Sequence, residues 1–196
     1  MSAIGGGDSG SRPHVLVWRM PARVAVLVEG VSDAEVVRVC AARLGIELGA
    51  LGVELLPCEG ANGMARKVRE MQPRPGRLLA LCDAHEAPAV RRSLAAAGAP
   101  VEPYVCSADL EDELLRALGE VAALEVLAGT GDLRAFRILQ GQPQHRARSF
   151  EQQLHRFLGA GAGRKARIGA ALAAALDPAA TPPPIAALLR DAADGR

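Results

Sequence analysis

The sequence predicts an α/β domain with a parallel sheet of about four strands flanked by helices, followed by an all-helical extension. Three observations carry this. Short apolar runs recur up to Gly119, each followed by a segment with helical spacing. The runs are apolar throughout rather than alternating, as in strands buried on both faces. Beyond Gly119 no strand-like run follows, and the chain becomes a series of helix-sized segments divided by Gly, Pro and Asp.

Each element follows in order. The opening "MSAIGGGDSGSRPH" has neither an apolar stretch nor a cleavage-like end, and residues 1–20 are expected to form a flexible leader. "RVAVLVEG" reads as the first strand. In the segment that follows, Val36, Val37, Cys40 and Leu44 recur at helical spacing, with Ser32 as the expected N-cap. "GVELLPCEG" with "ANGMARKVREM", "GRLLALCD" with "APAVRRSLAAAG" and "VEPYVCS" with "DLEDELLRALG" repeat the alternation. Such units pack as right-handed parallel crossovers, giving an α/β domain over residues 21–119 with its ligand at the carboxyl ends of the strands. Residues 120–196 supply "EVAALEVLAG", "GDLRAFRILQ", "SFEQQLHRFLG", "RKARIGAALAAALD" and "PPIAALLRDAA", a helical extension expected to complete the site.

Composition narrows the classes of function. A chain of 196 residues, 49% apolar, can bury one sizeable core. A formal charge of +1 gives no overall pull toward nucleic acid, so any such attraction must come from uneven charge. The charge is uneven: Arg134, Arg137, Arg146, Arg148, Arg156, Arg164, Lys165 and Arg167 crowd the second half, as a solvated face or a phosphate-binding surface. Aromatic residues at 3% argue against base stacking as the main binding device. No stretch reaches the roughly 20 apolar residues of a membrane span, so a cytoplasmic protein without a membrane partner is expected. Cys40, Cys58, Cys82 and Cys106 form no C-x-x-C pair and read as small buried hydrophobes.

The acids fall where the sheet rule places chemistry. Glu29 closes the first apolar run, Asp83 the third, and Asp109 and Glu111 follow the fourth, while Asp33 stands four residues past Glu29. Carboxylates gathered at one end of a sheet repel one another unless a cation neutralises them. A hard divalent ion such as Mg2+ is the natural partner, since it takes a few carboxylate oxygens and keeps positions for water and substrate phosphate. Asp112 and Glu113 read as solvated first-turn acids.

"VEGVSD", "LCDAHE" and "DLEDEL" together resemble the Toprim domain, in the version found in OLD-family (overcoming lysogenization defect) nucleases. The resemblance spans roughly residues 23 to 190. It implies a Toprim-like sheet on which Glu29, Asp33, Asp83 and Glu111 bind one or two Mg2+ ions, Mn2+ being an alternative, with Asp109 as an additional ligand. It also implies a lysine beyond the sheet, a part Lys165 can fill. Glu29 and Lys165 would then be catalytic, and Arg164, Arg167 and Arg156 would contact nucleic acid. The sequence departs from the family where Asp-x-Asp is expected: it has Asp83-Ala84-His85 followed by Glu86. This leaves three readings open: His85 as ligand to a softer metal such as Mn2+, Glu86 reaching back as substitute, or a helix-start residue with no role.

The function so implied is Mg2+-dependent phosphodiester hydrolysis on DNA by a two-metal endonuclease. Two alternatives share the site: a catalytically weakened module that binds nucleic acid or a partner ATPase, and a nucleotidyl transferase. "GAGAGRK" lacks the Gly-Lys-Ser/Thr ending of a phosphate loop and follows no strand, so no ATP site is expected. Many OLD-family proteins join this domain to an ATPase; the expectation here is a stand-alone module or one that acts with a separate ATPase. A homo-oligomer is compatible with the sequence.

Overall fold

The four apolar runs form the strands β1 (Val24–Val28), β2 (Val53–Pro57), β3 (Arg77–Asp83) and β4 (Tyr104–Cys106). The computed structural model describes residues 23–71, 74–161 and 163–194, so the expected leader lies outside the described residues. The strands pair in parallel in the order β2-β1-β3-β4. The chain thus leaves β1 for β2 on one side and returns across β1 to β3 on the other. That reversal puts the switch point between the carboxyl ends of β1 and β3, where open α/β sheets bind their ligands.

Both faces of the sheet are covered, as the continuous apolar strands require. Leu27, Ala80 and Cys82 face α2 (Gly60–Glu70) and α3 (Ala87–Ala96), packing with Met64, Val68, Val90 and Leu94. Val24, Val26, Val28, Leu79 and Leu81 face a larger core. That core joins α1 (Val31–Arg43) and α4 (Leu110–Leu118) to the helical half: α5 (Glu120–Gly129), α6 (Leu133–Gly141), α7 (Phe150–Leu158), α8 (Arg164–Ala175) and α9 (Pro183–Asp194). Phe136 sits at its centre, edge-on to Phe150 and Phe157 at 5.6 and 5.4 Å. The helical half therefore shares its core with the sheet. α8 lies against α1, where a Cβ on Gly169 would stand 3.2 Å from Val36 Cγ2, and Arg43 donates to the Leu176 carbonyl at 2.7 Å. Among the described residues no helix is long and apolar enough to cross a membrane.

The start of α1 departs from expectation. Gly30, not Ser32, is the N-cap, in extended backbone (φ −145°, ψ 177°) that any residue adopts. Its value lies in its N–H, which donates to Asp33 Oδ2 at 2.8 Å. Asp33 thereby closes the helix start that Ser32 was expected to cap.

The turn from β2 into α2 grips the end of β1. The Glu59 and Gly60 N–H groups donate to the Glu29 carbonyl at 2.7 and 3.4 Å. Glu59 accepts a left-handed backbone (φ 59°) to do so, an uncommon state for a residue with a Cβ. The close fit needs a glycine one turn on, because a Cβ at Gly63 would fall 1.3 Å from the Cys58 carbonyl oxygen. Gly63→Ala is expected to push α2 off the strand and destabilise the protein by on the order of 1–3 kcal/mol. Urea denaturation with an unchanged midpoint would contradict this.

Candidate functional site

The carboxylates read from the sequence gather at the switch point. Glu29 follows β1, and its Oε1 accepts the Asp83 N–H at 2.9 Å, bridging the ends of β1 and β3. Asp33 is one turn along α1. Asp109 caps α4, its Oδ1 accepting the Asp112 N–H at 2.8 Å, and Glu111 follows in the first turn. From the helical half, α8 brings Lys165, whose Nζ lies 3.2 Å from Glu111 Oε2. Short-range sequence logic explains where the acids stand, since free N–H groups at strand ends and helix starts favour them, but not Lys165 in the first turn of α8.

Electrostatics shows these groups act on one another. Burial pushes the Asp83 carboxyl up to about 7, and the charges of Glu29, Asp109 and Asp33 add to the shift against the opposing pull of Lys165. Burial also raises Glu29; the Asp83 N–H draws it back, while Glu86 and Asp33 raise it further. Asp33 is raised by burial, opposed by Lys165 and the Gly30 N–H. Lys165 responds in the complementary way: burial works against its charge, but Glu111, Asp33 and Asp109 outweigh it and hold its pKa above the ordinary lysine value.

Glu111 is the most constrained member. It is 2% exposed, and neither carboxylate oxygen receives an aligned hydrogen bond; its contact with Lys165 is electrostatic. Burial raises its pKa against the pull of Lys165. A buried carboxylate without hydrogen bonds is costly, so a cation besides Lys165 would relieve it.

The geometry separates the two stand-ins for the expected second aspartate. Glu86 acts directly on Glu29, and its carboxylate lies about 3.5 Å from where a Gly60 Cβ would stand. His85 is exposed, with no contact to the acids. The predicted arginines also divide. Arg167 makes a two-pronged pair with Asp132 at 2.7 and 3.1 Å. Arg164 donates to the Phe157 carbonyl at 3.0 Å and lies over the Phe157 ring. Both face α6 and α7 rather than the acids, since Asp132 precedes α6. Arg156 is exposed on α7 and lines a cleft that reaches Asp109 and Glu111.

Sequence reasoning missed His155, counted Arg148 only as one of a basic group, and misplaced Glu113. His155 Nε2 meets Asp109 Oδ2 at 3.1 Å, and Arg148 lines the same cleft. Glu113 was expected in solvent but is 5% exposed. It accepts the Ser107 N–H at 2.7 Å and pairs with Arg116 at 3.2 Å, tying the β4–α4 turn together. Its spacing from Arg116, three residues on, was the available signal.

The donor set suits a hard divalent cation in chemistry. It consists of carboxylate oxygens, several carrying raised pKa values through burial and mutual repulsion. Glu29 and Asp33 each commit one oxygen to a backbone N–H. Yet among the described residues no three His, Cys, Asp or Glu side chains stand close enough to hold an ion between them. Binding would therefore require side-chain rotation toward the centre of the cluster.

Comparison with known proteins agrees with this picture. Residues 22–75 match the family profile described as the overcoming lysogenization defect protein-like Toprim domain. A search of curated protein sequences returns no match. Among solved structures, the C-terminal region of the Burkholderia pseudomallei OLD protein superimposes with a TM-score of 0.62 at 19% identity, over 89% of this chain and 98% of that one. The C-terminal region of the Xanthomonas campestris pv. campestris OLD protein gives 0.66 at 23% identity, over 88% of this chain and 95% of that one. The profile covers β1 to α2 and the fold is shared over nearly the whole length, so the chain is similar to the Toprim domain of OLD-family proteins.

Proposed function

We propose that the chain is a Mg2+-dependent nuclease acting on DNA. The observation that supports this most is Glu111, a buried carboxylate with both oxygens free of hydrogen bonds, beside Lys165 and within the field of Asp33 and Asp109. Glu29, Asp83 and Glu111 would hold the cation, with Asp33 and Asp109 completing the set. Glu86, acting on Glu29, would supply the carboxylate that the missing second aspartate would have given. When bound, the ion supplies Lewis-acid polarisation of the phosphoryl oxygen and a more acidic water.

The chain's own residues have definable tasks. Lys165, kept protonated by its acidic neighbours, offsets negative charge developing on the phosphate. Asp83 carries a proton up to near neutral pH unless a cation displaces it. The helical half, residues 120–196, contributes Lys165 and so completes a site begun by residues 21–119. A second reading, a module that binds nucleic acid or a separate ATPase without cutting, is favoured by the absence of a preformed ion cage among the described residues.

Cleavage of supercoiled plasmid and single-stranded DNA with Mg2+, Mn2+ or EDTA tests the proposal. Wild type is expected to cut only with a divalent ion, and Glu29→Ala, Asp83→Ala and Lys165→Ala to lose that activity. Activity persisting in all three variants would overturn it. Calorimetric binding of Mg2+ without cleavage would favour the binding module.

A further inference from the structure

We propose that the cleft between α4 and α7 is a subsite for one unpaired nucleic-acid strand, whose phosphates are held by Arg148 and Arg156 and led toward the acids at the switch point. This rests on the nuclease reading for its purpose, and on separate geometry for its existence. The cleft encloses about 620 Å3. Asp109 and Glu111, two of the acids gathered over the sheet, are among the residues that line it.

The helix α7 is built for this division of faces. Leu154, Phe157 and Leu158 are buried in the core, whereas Gln152, His155 and Arg156, spaced three and four residues apart, turn to the cleft. Two of the acids along the cleft are paired with cations, Asp112 with Arg116 and Glu111 with Lys165, while Asp109 Oδ2 lies 3.1 Å from His155 Nε2, an ion pair only when the imidazole is protonated. Glu151 sits in the first turn of α7, where the helix dipole offsets its charge. By contrast, Arg148 and Arg156 have no side-chain ion pair or hydrogen bond among the described residues. Two uncommitted, exposed guanidiniums in a cleft that also holds Asp109 and Glu111 suit a polyanion whose phosphates they hold beside those acids.

Size and lining specify the form of the ligand. A volume of about 620 Å3 falls in the range of sites that enclose one small ligand, roughly 300–1,000 Å3. A duplex, whose major groove alone is about 12 Å wide, does not fit, so the strand must be unpaired when it enters. No Phe, Tyr or Trp among the described residues lines the cleft, and its one ring, the His155 imidazole, is engaged with Asp109. Recognition is therefore through phosphate, indifferent to sequence and sensitive to salt.

Fluorescence anisotropy in EDTA, with labelled oligothymidylate and a blunt hairpin duplex over a salt series, tests this without requiring cleavage. The double variant Arg148→Gln, Arg156→Gln is expected to bind oligothymidylate roughly tenfold more weakly. Its log Kobs against log[salt] slope should be shallower by about 1.4, at ~0.7 per lost phosphate contact. Arg148→Lys, Arg156→Lys should restore the slope, and Arg167→Gln should leave it unchanged. An unchanged slope in the Gln variant, an equal loss on the hairpin, or no binding of oligothymidylate by wild type overturns the assignment. Metal-dependent cleavage with an unchanged slope would sink the subsite alone. A changed slope without any cleavage would sink the nuclease reading alone.

Discussion

At pH 8 without divalent ions, Asp83→Asn is expected to melt at a higher temperature than wild type while cleaving DNA about a hundredfold more slowly with Mg2+. Both effects come from one carboxylate. Burial and the charges of Glu29, Asp109 and Asp33 hold Asp83 at about 7, well above the unfolded value. An acid raised in this way disfavours the fold once it ionises. Stability is fully present below the unfolded pKa, near 4, and is lost as pH rises through 7. Asparagine removes that loss; allowing for partial solvent access, the gain is on the order of 1 kcal/mol. It also removes a candidate ion ligand, and loss of several kcal/mol of Lewis-acid stabilisation corresponds to roughly 10²–10³ in rate. Differential scanning fluorimetry at pH 5 and pH 8, with and without Mg2+, checks the first part. Wild type should gain stability from Mg2+ at pH 8 and much less at pH 5, where protons compete for the carboxylates. An Asp83→Asn protein that melts lower at pH 8 would show that the repulsion is not there.

How legible all this is in the sequence depends on the range of the interaction. The strand and helix of "RVAVLVEGVSDAEVV" are legible because continuous apolar runs and helical spacing are local, and the acids at strand ends follow from the parallel sheet. The N-cap of α1 is less so: Ser32 and Gly30 both suit a cap, and the choice rests on Asp33 reaching back to the Gly30 N–H. Glu86 and His85 are adjacent in sequence, and only the approach of α2, with Gly60 leaving room, places one of them by Glu29.

The arginines were the hardest to read. Arg164 and Arg167 flank Lys165, and adjacency suggests a shared role. Within a helix, however, residues one or two apart point in different directions. Lys165 turns to Glu111, whereas both arginines turn to Asp132, more than 30 positions earlier in the chain. Arg148 and Arg156, without a side-chain ion pair or hydrogen bond among the described residues, lie in and after a turn whose path no periodicity reveals. The same long-range folding joins His155 to Asp109. Charge counting identified a basic half; only tertiary contacts distinguish its structural cations from its available ones.

Lys165→Met is expected to abolish cleavage and to lower stability at pH 8 by about 2 kcal/mol, a fall in melting temperature of roughly 4–8 °C for a chain of this size. The reason is Glu111. At 2% exposure and without a hydrogen bond, it has Lys165 as its ion-pair partner at 3.2 Å. Breaking a fully buried pair costs about 3–5 kcal/mol, and the part-exposed lysine reduces that figure, since its side chain is 45% accessible. The loss should shrink as pH falls, because Glu111, already raised by burial, can then take a proton instead. Adding Glu111→Leu to Lys165→Met should recover most of the stability, since an apolar side chain suits the buried position, yet recover none of the activity. A double-mutant cycle measures the coupling directly. If the double variant is as unstable as the sum of the single ones, Glu111 and Lys165 are not energetically paired, and the buried carboxylate must find its compensation elsewhere in the cluster.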